Sequence, residues 1–192
     1  EENSQLKERL DNIEKELAEK LSAYPYNRIE GTGTVGIVTG GVSAAYVKDA
    51  VADLGTDVKV LTVATPYPFP EPLAAEFLAS VERVLVIEEL DPVLEDALLL
   101  LAGKKHLNIE ICGKHTGHTI TAGENSHTLV RTQIAGFLGI EAPAVPTLGI
   151  DAPELPVRPP TLCAGCPHRA SFYAVKEAMA KKSAVFSGDI GC

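Results

Sequence analysis

No apolar run in this sequence is long enough to span a bilayer as a helix. The longest apolar run, ALLLLA at residues 97–102, falls far short of the roughly 20 residues a spanning helix needs. No charged start followed by an apolar core opens the chain, so no secretory leader is read. Basic charge is scarce: 17 Lys and Arg stand against 26 Asp and Glu, a formal net charge of −9. No Lys/Arg cluster relieves that balance, which excludes the basic surface a nucleic-acid partner requires. Cysteine is sparse too, with four in 192 residues: Cys112, Cys163, Cys166 and Cys192. That is too few for a secreted disulfide framework, so the thiols are expected reduced or on a metal in a cytoplasmic protein. Neither GxGxxG nor GxxxxGK[ST] occurs, so the usual phosphate-cradling loops are missing.

What is present is globular. Hydrophobic residues make up 45% of the chain and charged residues 22%, and the length suits one full domain and part of another. Residues 1–30 read as an amphipathic helix and its connector. Leu6, Leu10, Ile13 and Leu17 recur at helical spacing within 4–23, and Tyr24-Pro25-Tyr26-Asn27 stops the helix. Two heptads make a poor coiled coil, so the helix is expected to lie on a neighbouring domain.

From residue 31 to 140 the pattern alternates. Apolar β-rich runs near 34–39, 58–64, 83–88 and 107–112 are separated by helical spacing over 42–54, 73–81, 92–103 and 126–139. Such alternation predicts a three-layer α/β domain, a mostly parallel sheet with helices on both faces. The GKHTGHTITAG stretch (113–123) leaves room for an antiparallel return along an edge. Ligands in open sheets of this kind sit at the carboxyl ends of the strands. TGGVSAA (39–45) lies at one such end and reads as a tight strand-to-helix turn rather than an anion site. Glu88, Glu89 and Asp91 read as solvated acids before a helix. His115, His118 and His127 read as loop histidines bonded to backbone or water. No acid–base constellation is visible in this domain, so no catalytic residue is assigned.

Residues 141–160 hold six prolines and read as an extended linker. Residues 161–192 open a second α/β domain: the turn TLCAGCPHRA, a helix at 171–181, a strand at 183–187 and then GDIGC. Cys163 and Cys166 sit three apart, followed by Pro167 and His168. Pro167 excludes the c-type haem pattern, which needs His directly after the second cysteine. The proline-rich approach disfavours a thioredoxin-like site. Zinc could take Cys163, Cys166, Cys192 and His168, and an iron–sulfur cluster could take the three cysteines. Cysteines three apart on a turn can aim both sulfurs at one point. The spacing points to a metal or cluster without choosing between them. His168 by itself reads as a structural hydrogen-bonder, and Cys112 as a buried thiol.

PTLCAGCPHRASFYAVKEA and GDIGC resemble the junction that leads into the catalytic domain of indolepyruvate:ferredoxin oxidoreductase alpha subunits. These are members of the thiamine-diphosphate-dependent 2-oxoacid:ferredoxin oxidoreductases. YPYNRIEG, TVGIVTGGVSAAYVKDAV, TPYPFPEPLAAEFL, RVLVIEELDPVLEDAL and GKHTGH follow the same order, so the resemblance covers nearly the whole chain. It implies a transketolase C-terminal-like fold for the middle domain and the beginning of a thiamine-binding domain after it. It implies oxidative decarboxylation of arylpyruvates, with coenzyme A taking the acyl group and ferredoxin the electrons. It implies thiamine diphosphate, Mg²⁺ and a [4Fe–4S] cluster in the intact enzyme, and a smaller second subunit as partner. Cys163, Cys166 and Cys192 match the cysteines that hold the cluster nearest thiamine. The upstream pyrimidine-binding domain, the GDG…N motif and a ferredoxin-like cysteine run are not found here. The chain is therefore expected to be an internal fragment, with no complete cofactor site and no turnover of its own. The rival reading is a non-catalytic docking or scaffold domain with a small zinc-binding module at its C-terminus.

Overall fold

The computed structural model describes residues 2–144, 149, 153–154, 156–157 and 162–187. The chain divides into two compact units, Glu1–Pro146 and Thr147–Cys192. The first unit runs α1 (Glu2–Ser22), β1 (Arg28–Glu30), β2 (Val35–Gly40), α2 (Ser43–Leu54), β3 (Lys59–Val63), α3 (Glu71–Ala79), β4 (Arg83–Ile87), α4 (Val93–Lys105), β5 (Glu110–Cys112) and α5 (His127–Leu138). The five strands form one sheet in the order β1-β3-β2-β4-β5. Strands β3, β2, β4 and β5 run parallel to one another, with Ile37 opposite both Val60 and Leu85.

The sheet separates two apolar layers because successive side chains on a strand point to opposite faces. Val38, Leu61, Val63, Val84, Val86 and Ile111 face one way, onto Phe77 of α3 and Leu94, Leu98 and Leu101 of α4. Ile37, Leu85, Ile87 and Cys112 face the other way, onto Val47 and Ala50 of α2 and Val130, Ile134 and Phe137 of α5. Strands buried on both faces must be apolar throughout, which is why VGIVT and RVLVI read as continuous runs. This is the three-layer, mostly parallel α/β fold the sequence predicts.

Helix ends follow local chemistry. Gly55 and Gly139 close α2 and α5 in the left-handed conformation, at φ +58° and +71°. Ser126 caps α5 by accepting from the Leu129 amide at 3.3 Å. Helix α3 starts two residues earlier than expected because Pro72 fits its first turn.

Three expectations are corrected. The antiparallel edge is β1, which pairs with β3, whereas β5 runs parallel to β4 and residues 113–123 form turns instead of a returning strand. Strand β1 escaped notice because three residues with one apolar side chain carry no period. Tertiary bonds hold it: the Asn27 side-chain oxygen accepts from the Ala64 amide at 2.7 Å while its NH₂ donates to Leu21 O and Thr65 Oγ1. Strand β5 begins only at Glu110, since the Leu107 amide donates to Ala102 O at 2.9 Å and wraps the end of α4. In the second unit, residues 183–187 form no strand. A strand needs a ladder partner for its backbone groups, and none is present among the described residues of that unit. Val185 and Phe186 are exposed.

Helix α1 leans on α3 through its C-terminal half, where Ser22 Oγ accepts from the Leu73 amide at 3.4 Å. Its stripe of Leu6, Leu10, Ile13 and Leu17 is exposed.

Candidate metal centre

The CAGC turn is built by its backbone. The Cys166 amide donates to Cys163 O at 3.2 Å. Gly165 sits at φ +78°, a conformation glycine adopts without steric cost. Cys166 then caps α6 (Pro167–Ala178) with extended backbone, and Pro167 occupies the first turn. That proline starts the helix at 167, four residues ahead of the predicted 171. Cys163 is exposed and Cys166 partly so, and both are free thiols.

Cys166 Sγ lies 3.4 Å from His168 Nδ1. This hydrogen bond, joined by the backbone N–H groups of His168 and Arg169, holds the Cys166 thiol below its ordinary pKa. A thiol at a helix N-terminus with such donors is biased to the thiolate, the form that binds metals. The His168 ring lies 6.1 Å from the Phe172 ring, tilted by 48°. Two cysteines on one turn, one of them with its pKa lowered, fit a soft-ligand site for an iron–sulfur cluster or zinc. Cys192, the third predicted ligand, lies outside the described residues, as does the whole GDIGC segment. Among the described residues no group of three or more His, Cys, Asp or Glu side chains is arranged to hold a metal.

The carboxyl ends of the parallel strands carry a second polar cluster, and here the sequence reading is corrected. Glu88 is buried rather than solvated: its carboxylate accepts from the Leu94 amide at 2.8 Å and the Glu95 amide at 3.0 Å, at the start of α4. Burial pushes its pKa up, against the pull of those two amides and of Lys114. Glu95, unremarked in the sequence, is fully buried and accepts from the Lys114 amide at 2.7 Å. Lys114 Nζ donates to Ile120 O at 2.6 Å. Glu89 accepts from the Asn125 amide at 2.9 Å, and Asn125 donates to Ser43 Oγ at 3.0 Å. These bonds pin the loop after β5 to the starts of α4 and α2. Glu88, Glu89 and Glu95 all accept from backbone amides, so these three form a brace, while Asp91 is exposed, as expected. TGGVSAA forms the expected tight turn, with Gly41 at φ +56° and the Ala44 amide donating to Gly41 O.

The histidines are dispersed. His115 Nε2 is 2.6 Å from Asp96 Oδ1, and that contact raises its pKa. His118 bonds Thr116 Oγ1 at 2.8 Å, and His127 lies 3.1 Å from Asp53. Each of the three rings has a side-chain partner. Cys112 is buried against α2 and α5, as expected, and burial pushes its thiol pKa up.

No family model matches the chain. Among curated proteins it is 44% identical over 163 residues to indolepyruvate oxidoreductase subunit IorA of Methanothermobacter marburgensis, which is 82% of this chain and 26% of that subunit. The IorA subunits of Pyrococcus horikoshii and Thermococcus kodakarensis are 41% and 42% identical over 192 residues, 95% of this chain and 29% of each subunit. The chain is similar to a segment of these IorA subunits. It spans under a third of the length of the curated relatives it matches. Among solved structures it is similar to a split-gene transketolase in an inactive β4 tetramer (TM-score 0.46, 18% identity, 61% of this chain and 43% of that one). It is also similar to a 2-oxoglutarate:ferredoxin oxidoreductase from Magnetococcus marinus with 2-oxoglutarate, coenzyme A and succinyl-CoA bound (TM-score 0.45, 21% identity, 61% and 20%). No helix among the described residues is long and apolar enough to cross a membrane.

Proposed function

We propose that the chain is a segment of a cytoplasmic, thiamine-diphosphate-dependent 2-oxoacid oxidoreductase that acts on indolepyruvate and related arylpyruvates. Coenzyme A takes the acyl group, ferredoxin takes the electrons, and a smaller second subunit completes the enzyme. The observation that carries this reading is the 37–44% identity to subunits named for indolepyruvate oxidation, spread over 82–95% of the chain.

Within that enzyme the chain's own residues divide the work. The α/β unit is a rigid spacer: both faces of its sheet are covered, and its buried carboxylates are spent on backbone amides. Cys163 and Cys166, with Cys192, supply thiolates to a [4Fe–4S] cluster. Thiolate coordination suits such a cluster, and the depressed Cys166 pKa lets that sulfur bind without a costly deprotonation. When bound, the cluster supplies single-electron transfer and thiamine diphosphate supplies the electron sink for decarboxylation. No catalytic residue is assigned to the described residues. Because the chain spans only part of its relatives, it is not expected to turn over substrate or to hold a complete cofactor by itself.

The test uses the intact two-subunit enzyme, purified without oxygen. Indolepyruvate with coenzyme A should reduce ferredoxin, and Cys163→Ser should lower both the iron count and that rate. Bound zinc with no iron in the wild type would instead support a docking domain with a zinc module. Unchanged iron and rate in Cys163→Ser would make TLCAGCPHRA a structural turn only.

A further inference from the structure

We propose that His168 is a positioning residue for the Cys166 thiolate, its Nδ1–H donating to Sγ and so tuning whatever metal or cluster that sulfur holds. The inference rests on the reading of Cys163 and Cys166 as ligands, and it concerns a residue that is not itself a ligand. Three observations place the ring. Cys166 caps α6 in an extended conformation and Pro167 fixes the first helical residue, so the side chains of residues 166 and 168 leave the same turn. The approach is 3.4 Å, within reach of a hydrogen bond to a large sulfur atom. Phe172, one turn further along α6, has its ring 6.1 Å from the imidazole, tilted by 48°.

The tautomer follows from the sulfur. A metal-bound sulfur can only accept, so in the loaded site the 3.4 Å contact needs a proton on Nδ1. A ligating sulfur that accepts hydrogen bonds gives less electron density to its metal and competes better against protonation. For an iron–sulfur cluster the first effect raises the reduction potential, and the second slows loss of metal.

The test again uses the intact two-subunit enzyme, as wild type, His168→Ala and His168→Asn. Asparagine keeps an N–H donor near the Nδ1 position. Iron and zinc content, metal loss to EDTA, and the midpoint potential followed by electron paramagnetic resonance are measured. His168→Ala should keep its metal at purification, retain it about 10-fold less well against EDTA, and titrate at a lower potential. His168→Asn should recover most of both differences, which a merely structural role for the ring would not predict. An iron-loaded His168→Ala enzyme identical to wild type in retention and potential sinks this inference and leaves the cluster reading standing. Complete metal loss in both variants overturns it as well, because His168 is then a ligand. Zinc in place of iron in the wild type sinks the cluster reading, and EDTA retention alone then decides the role of His168. A wild-type enzyme with no metal on Cys163 and Cys166 sinks both.

Discussion

Replacing Glu95 with alanine should destabilise the α/β unit by about 3–4 kcal/mol. The carboxylate is fully buried and accepts from the Lys114 amide at 2.7 Å and, more weakly, from the His115 amide at 3.3 Å. Losing this acceptor leaves the Lys114 donor buried and unpaired, at about 2–3 kcal/mol; the longer His115 bond adds under about 1 kcal/mol. The void adds about 1 kcal/mol, because little can collapse into it. Gly113 lines that space so closely that a Cβ there would stand 2.5 Å from Glu95 Oε2. Against these losses, the variant no longer desolvates a carboxylate, which trims the total. Glu95→Gln keeps the shape and one acceptor and should lose about half as much. The assay is urea unfolding followed by far-ultraviolet circular dichroism. Asp11→Ala serves as control: it removes only the exposed Lys7–Asp11 pair on α1 and should leave the midpoint unchanged. A loss below about 1 kcal/mol for Glu95→Ala, or equal losses for Ala and Gln, would refute the brace.

Two further outcomes are expected. Glu88 has a raised pKa in the folded chain, chiefly from burial, so the folded state holds its proton to higher pH than the unfolded state does. Stability should therefore fall as pH rises from the ordinary glutamate value through the raised one and level off above it; urea midpoints across that window should show the fall in wild type and a flatter profile in Glu88→Gln. In the metal-free native chain, iodoacetamide should modify exposed Cys163 and spare Cys112 until urea is added. Peptide mass mapping reads this directly, and equal labelling of the two would contradict the burial of Cys112 under α5.

The α/β class was legible because its signal is local. VGIVT, KVLTV and RVLVI are continuous apolar runs of strand length, and between them the apolar residues step by three and four. Water drives both patterns, and neither depends on what the segment later packs against. The CAGC turn was legible for a similar reason, since Gly165 and Pro167 act on their immediate neighbours. By itself, then, the sequence determined the element types from β2 to α5, the two-sided burial of the central strands and the pair of cysteines on one turn. Only the tertiary structure decided that Arg28–Glu30 adds an antiparallel edge to β3, that β5 stays parallel, and that Glu88 and Glu95 are buried. Those outcomes depend on partners far away in the chain: Asn27 on Ala64, Glu95 on Lys114, and Asn125 on Ser43. An acid before a helix looks the same in sequence whether it faces water or two backbone amides. Its burial is set by whether a distant loop folds over it, and here residues 113–125 do so.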